Sequence, residues 1–288
     1  MKNQAQVCGA QRRKDQHQIQ DKEIAASLGR IRNKILVMSG KGGVGKSSVA
    51  AYLSVALAKK NKKVGLMDVD LHGPSIPRML GLKGTVQKGT KGSKATPIQY
   101  SPNLQVISVE PLMGEDKDAA TIWRGPLKMG VIRQFISDIQ WNDLDYLIID
   151  SPPGTGDEPL TVAQTIPDAK ALIVTTPQEI SLADVRKSIR FCRQVHMEIL
   201  GLVENMSGLT CPHCKKTIDL FKSDGGMLTA KRENVRLLGS LPLEPLVVTG
   251  SDGGDMSILE NMEIPFSRSF DTIVEDIMKT LEGKKDLH

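Results

Sequence analysis

Ser39-Gly40-Lys41-Gly42-Gly43-Val44-Gly45-Lys46-Ser47-Ser48 is the stretch whose reading decides the fold. It fits the phosphate-loop pattern G-x-x-x-x-G-K-[ST], with Gly40, Gly45, Lys46 and Ser47 at the required places. Ile35-Leu36-Val37-Met38 ahead of it is an apolar run of strand formers, and Ala50 to Lys60 behind it has helical composition. Strand, glycine loop and helix in that order is the context the motif needs. The glycines let successive backbone N–H groups turn into one concavity, and the helix N-terminus adds its partial positive charge. Lys46 is expected to reach the β- and γ-phosphates and Ser47 to hold Mg²⁺. The plain alternative is a glycine turn between strand and helix.

Outward from the loop, strand-like runs end in carboxylates. Lys63 to Met67 leads into Asp68-Val69-Asp70, and Tyr146 to Ile149 closes on Asp150 in the form of a Walker B segment. Side chains at the carboxyl ends of parallel strands face the ligand edge of an open sheet, so Asp150 is expected to hold Mg²⁺ through water. Asp68 and Asp70 are candidates beside it, although either could merely cap its loop. Ser151 to Glu158, with two prolines and two glycines, reads as a shaped loop rather than a helix start, able to sense the γ-phosphate. Further strands are expected at 104–109, 171–175, 197–203 and 237–241, with helices at 127–139 and 182–194. This alternation calls for an α/β fold: a doubly wound, mostly parallel sheet with helices on both faces, of the P-loop NTPase type.

Residues 1–30 are polar and read as a flexible arm with a short helix near Asp21 to Leu28; residues 31–288 read as the P-loop domain. The last segment places Phe266, Phe270, Ile273, Val274, Ile277 and Leu281 at helical spacing. Its polar face mixes acidic and basic residues, so docking on the protein body is expected rather than a membrane surface. Lys83 to Lys94 reads as a solvated basic loop.

Bulk properties narrow the function classes. In 288 residues, hydrophobic content is 40% and charged content 25%, both ordinary for a globular chain. Aromatics are only 3%, which suits an aliphatic parallel sheet and argues against a base-stacking surface. A net charge of +5 is too mild to imply nucleic acid. No apolar run reaches the ~18 residues of a membrane span, and no secretory signal is evident. Four cysteines make no disulfide framework, so a cytoplasmic setting is expected. Cys8 stands alone in the arm, and Cys192 reads as a core thiol.

Cys211-Pro212-His213-Cys214 is different. Two thiolates at this spacing grip a metal centre but do not complete a tetrahedral zinc site or a four-iron cluster. The chain has no second C-x-x-C. Two chains meeting at this loop would supply four thiolates. A zinc site recruiting His213, a zinc bridging a dimer, and a redox dithiol remain open.

The motifs together carry a resemblance. Lys41, directly after the first glycine, is similar to the signature lysine of the deviant phosphate loop K-G-G-V-G-K-[ST] of ParA, MinD and nitrogenase iron-protein relatives. With D-L-H-G-P-S-I-P from Asp70, Trp123-Arg124-Gly125-Pro126, P-P-G-T-G-D, Glu204-Asn205-Met206 and the C-P-H-C loop, residues 30 to 280 resemble the Mrp/ApbC-type iron–sulfur cluster carrier ATPases. The resemblance implies a homodimer with ATP at its interface and a labile [4Fe–4S] cluster bridged by Cys211 and Cys214 of each chain. That cluster would be passed to apo iron–sulfur proteins. Gly40 to Ser48, Val44 included, would cradle the phosphates, with Lys41 acting across the dimer. Asp70 would position the attacking water, and Asn205 and Pro242 would lie at the adenine. Hydrolysis is expected to be slow and coupled to cluster loading or transfer, with neither nucleic acid nor membrane as partner. Only Cys8 precedes residue 30, so the second cluster that four N-terminal cysteines support in eukaryotic relatives is not expected. The alternatives are a ParA/MinD-like positioning ATPase acting on DNA or membrane, an ATP-coupled iron–sulfur reductase, and a zinc-stapled scaffold.

Overall fold

The computed structural model describes residues 18–70, 73–82, 94–108, 125–210, 214, 216–218 and 225–283. Strand β1 (Ile31–Ser39) lies at the centre of an eight-stranded sheet. On one side follow β5 (Leu144–Asp150), β2 (Val64–Asp68), β4 (Leu104–Ile107) and the edge strand β3 (Ile98–Ser101). On the other side follow β6 (Lys170–Thr175), β7 (Ile199–Glu204) and β10 (Leu237–Ser240). All neighbours pair in parallel except β3, which runs antiparallel to β4. The short strand β3 is absent from the sequence reading because its partly exposed I-Q-Y-S carries little hydrophobic pattern.

Alternation along β1 sorts the core. Ile35 and Val37 face α2 (Lys46–Lys59) and α9 (Pro265–Glu282), whereas Leu36 and Met38 face α4 (Gly125–Ser137), α5 (Asp157–Thr165) and α6 (Glu179–Gln194). Burial on both faces is why these strands read as continuous apolar runs. The C-terminal helix docks on the body as expected. Phe266, Phe270, Ile273, Val274, Ile277 and Leu281 are buried, and the rings of Phe266 and Phe270 meet Tyr52 of α2 edge-on at 5.6 and 6.0 Å. Cys192 is fully buried with its Sγ 3.5 Å from Met38 Sδ, and burial pushes its thiol up to about 12.

Three expectations are corrected. The helix expected near Asp21 to Leu28 is present as α1, residues 18–28, but this end of the arm is docked rather than flexible, with Ile24, Ser27 and Leu28 buried. Gln20 and Asp21 of α1 also bond Arg133 of α4. Residues 1–17, including Cys8, lie outside the described residues. The 151–158 loop is shorter than expected, since α5 begins at Asp157: Gly156 serves as N-cap, and Asp157 and Glu158 suit the positive helix end. An additional helix, α8 (Pro245–Gly253), follows β10 and buries none of its residues, so it leaves no amphipathic trace. The basic 83–93 stretch and 109–124 lie outside the described residues.

Candidate nucleotide site and cysteine hairpin

The carboxyl ends of β1, β2, β5, β7 and β10, or the loops that leave them, converge on a cleft of about 450 Å³. Its floor is the start of α2. Gly45 is the N-cap at φ 80°, no side chain caps the helix, and the first turn holds no acidic residue. The N–H groups of that turn are therefore left for an anion, and the helix end supplies positive potential. Gly45 is required twice over: its φ is left-handed, and an added Cβ would sit 2.2 Å from Asn205 Nδ2. Lys41, Gly42, Gly43 and Gly45 to Ser48 form one wall of the cleft, while Asp70, Asn205 and Pro242 belong to the others. Gly40 and Val44 lie behind that wall, Gly40 against the Asp184 backbone of α6 and Val44 in the core.

Two buried carboxylates lie beneath the loop. Lys46 Nζ sits 2.5 Å from Asp150 Oδ1 and donates to Ser47 Oγ at 3.1 Å. Burial pushes the Asp150 carboxyl up while the Lys46 ammonium pulls it back. Asp68 is held well above the usual carboxylate range by burial and by neighbouring Asp150, despite accepting from Ser108 Oγ at 3.0 Å and Asp70 N–H at 3.1 Å. Lys46 bonds Asp150 and not Asp68, so the Asp150 carboxylate is the one whose charge is directly compensated. Asp70 Oδ1 accepts from Gly73 N–H at 3.3 Å at the cleft margin.

Asp150 Oδ2 is buried and has no hydrogen-bond partner among the described residues. A buried, unpartnered carboxylate oxygen beside the Ser47 hydroxyl suits a hard, oxygen-seeking cation, so these residues fit Mg²⁺.

Lys41 Nζ donates to Gln178 Oε1 at 3.0 Å, a bond within the chain. Asn205 Nδ2 donates to Val44 O at 3.0 Å, joining the end of β7 to the phosphate loop. The 151–156 loop is tied to β1 by Gly154 N–H to Ser39 O at 2.8 Å and Ser151 Oγ to Val37 O at 3.0 Å, and Pro153 reaches the cleft. Gln178 and Glu204 were given no role by sequence reasoning. Each sits just past or at the carboxyl end of a parallel strand, and that position was the available signal.

The cysteine loop leaves the same edge. β8 (Leu209–Thr210) and β9 (Thr217–Ile218) form a two-residue hairpin, and Leu209 also bridges to Leu243 beside the cleft. Cys214 is exposed at this hairpin. Cys211 and His213 lie outside the described residues, and among the described residues no cluster of three metal-ligating side chains occurs.

Comparison with known proteins agrees with this arrangement. Residues 30–278 match the ParA family described as NUBPL iron-transfer P-loop NTPase. The chain is 45% identical over 268 residues to an iron–sulfur cluster carrier protein of Methanocaldococcus jannaschii, covering 93% of this chain and 91% of that one. It is 43% identical to the cytosolic Fe–S cluster assembly factor CFD1 of Saccharomyces cerevisiae, covering 89% of each. A nucleotide-binding protein of Archaeoglobus fulgidus solved with ADP superposes with a TM-score of 0.74 at 38% identity, over 87% of this chain and 96% of that one. Pyrococcus furiosus MinD, at 23% identity, a TM-score of 0.61 and coverage of 86% and 99%, shares the fold. On the strength of the family match and these identities, the chain belongs to the NUBPL-type iron-transfer family of ParA-like P-loop NTPases.

Proposed function

We propose that this chain is an ATP-switched carrier that takes up an iron–sulfur cluster as cargo and hands it to apo-proteins. The observation that carries the reading is a complete phosphate cradle and an exposed cysteine hairpin rooted in one sheet edge. Kinship with proteins named as cluster carriers and assembly factors supports it.

ATP is the nucleotide assigned to the cleft. The free N–H groups of the loop and α2 hold its phosphates, and Lys46 exchanges its bond to Asp150 for the β- and γ-oxygens. Ser47 and Asp150 are the residues that would hold Mg²⁺, which when bound neutralises phosphate charge. Asp70, on the cleft margin, orients the attacking water. Lys41 leaves Gln178 to meet the nucleotide of a second copy. Asn205 and Pro242 border the adenine. Slow hydrolysis then resets the pair.

Cys211 and Cys214 of two copies complete a four-thiolate set for a [4Fe–4S] cluster, which makes the carrier a homodimer. A ligand as exposed as Cys214 suits transfer, as a fully enclosed site would not. Apo iron–sulfur proteins are the recipients, with neither nucleic acid nor membrane needed as partner. No described helix is long and apolar enough to cross a membrane, and relatives named cytosolic support a cytoplasmic setting. The 31–288 span acts as one P-loop unit, and the arm ahead of α1 lies outside this assignment.

The test is metal content after anaerobic reconstitution, wild type beside Cys214→Ala and Cys211→Ala. About four iron and four sulfide per pair of chains is expected, absent from both variants. Zinc alone, or iron retained without the cysteines, removes the carrier reading.

A further inference from the structure

The carboxylate of Glu204 is nearly fully buried, 2% exposed, and lies at the very end of β7. Its bonds join three separate segments. Oε1 accepts from Ser207 Oγ at 2.8 Å, in the loop that leads to the cysteine hairpin. It also accepts from Ser240 Oγ at 3.2 Å, at the end of β10 and next to the cleft-lining turn. Oε2 accepts from Gly226 N–H at 2.5 Å, in the first turn of α7 (Gly225–Arg232), the helix by which the chain returns from the hairpin. A carboxylate on a helix N-terminus is held by both hydrogen bond and dipole. The approach is so close that a Cβ on Gly226 would stand 2.6 Å from Oε2.

The adjacent backbone is taut. Met206 holds φ 59°, a left-handed conformation that disfavours a non-glycine residue, and Gly208 follows at φ 75°. The turn is pinned to β10 by Leu241 N–H to Glu204 O, Ser207 N–H to Leu241 O and Leu243 N–H to Gly208 O, at 2.7 to 2.8 Å. Asn205, one residue along, lines the cleft and bonds the phosphate loop. Five residues after Asn205 the β8 strand ends and the cysteine loop begins. Both stems of that loop, the 205–210 segment and α7, are therefore tied to one carboxylate, and the same elbow touches the nucleotide cleft.

We propose that Glu204 is the positioning residue through which occupancy of the cleft sets the placement of the cysteine hairpin. This rests on the carrier reading, and deepens it by naming the coupling element. A ligand that displaces Asn205 from Val44 O moves the elbow. Because Glu204 grips both stems, the hairpin follows as a unit instead of absorbing the shift in one strand.

The test reads Cys214 directly. The exposed thiol is alkylated with iodoacetamide in the apo-protein, with and without Mg·ATP and at a dilution where the chains stay monomeric so that pairing does not shield it, and quantified at the Cys214 peptide by mass spectrometry. Nucleotide affinity and oligomeric state are followed in parallel. In the wild type, Mg·ATP is expected to change the alkylation rate about fivefold or more, the lower end of ordinary site–site coupling. Glu204→Ala is expected to bind nucleotide and associate as the wild type does while its two rates become equal. Glu204→Gln, whose amide still accepts from Gly226 and donates to the rotatable serine hydroxyls, restores the difference. Should Glu204→Ala fail to fold, Gly226→Ala pushes α7 off the carboxylate and is expected to lose the difference as well. A preserved rate ratio in Glu204→Ala or Gly226→Ala overturns the proposal, as does a wild type that binds Mg·ATP with no change at Cys214. Failure of the wild type to bind nucleotide instead sinks the reading of the cleft.

Discussion

The nucleotide cleft and the cysteine hairpin share a sheet edge but are built on opposite principles. In the cleft the key side chains rest on partners within the chain: Lys46 on Asp150, Asn205 on Val44, Lys41 on Gln178, above an uncapped helix start. Its rigidity comes from β1 and α2, whose apolar residues are almost wholly buried. The hairpin has two-residue strands, an exposed Cys214 and, at its root, the bonds to Glu204 and Leu243. The cleft is a closed set of bonds within one chain that a nucleotide must exchange for its own. On the reading proposed above, the hairpin carries too few ligands for its cargo and finds the rest on a second copy of the chain. A carrier benefits from that division, because a self-contained site keeps its ligand and an incomplete one releases it.

The largest expected effect lies in the cleft. Lys46→Ala should abolish nucleotide binding by calorimetry and also cost about 3–5 kcal/mol of stability in urea unfolding, because it leaves Asp150 charged and buried. Adding Asp150→Asn should recover most of the stability and none of the binding. If Lys46→Ala is as stable as wild type, Lys46 does not compensate the buried Asp150 charge.

Cys214→Ala sharpens the other half of the comparison. Its reconstituted iron should fall to background while urea stability moves by no more than about 0.5 kcal/mol, as for an ordinary surface change. A large stability loss would show that the hairpin is part of the core rather than an appendage.

The buried carboxylates predict a pH effect confined to the cleft. Burial and Asp150 raise the Asp68 carboxyl, so the folded chain binds this proton more tightly than the unfolded chain does. Nucleotide-free stability should therefore decline as pH rises from the ordinary carboxylate value, about 3.9, through the raised one. Asp68→Asn should reduce that slope to the part Asp150, also raised by burial, contributes, and be the more stable protein above it, measured by chemical unfolding at a series of pH values. Cys214→Ala should leave the profile unchanged.

The smallest effect is expected at Gln178. Its replacement by Ala frees Lys41 at a cost of about 1 kcal/mol or less in stability. ATP-dependent association, followed by sedimentation, should become easier because the lysine no longer has to leave a partner in its own chain. An unchanged association would confine Lys41 to a role within the chain.

Much of the cleft was legible because its chemistry is contiguous. Gly40 to Ser48 is one loop, and the physics of free amides at a helix start needs only local backbone freedom, which glycines announce. Asp68 and Asp150 were legible because apolar strands that end in carboxylates have one way to point in a parallel sheet. The docked face of α9 was legible from its helical spacing. The edge strand β3 and helix α8 were not, since neither buries enough apolar surface to imprint a pattern. Which aspartate Lys46 bonds, where Lys41 rests within the chain, and that Glu204 holds both stems of the cysteine loop were decided only by tertiary structure. Each depends on residues far apart in the chain — Lys46 with Asp150, Lys41 with Gln178, Glu204 with Gly226 and Ser240 — brought within a hydrogen bond by strand order, and strand order is a property of the assembled sheet.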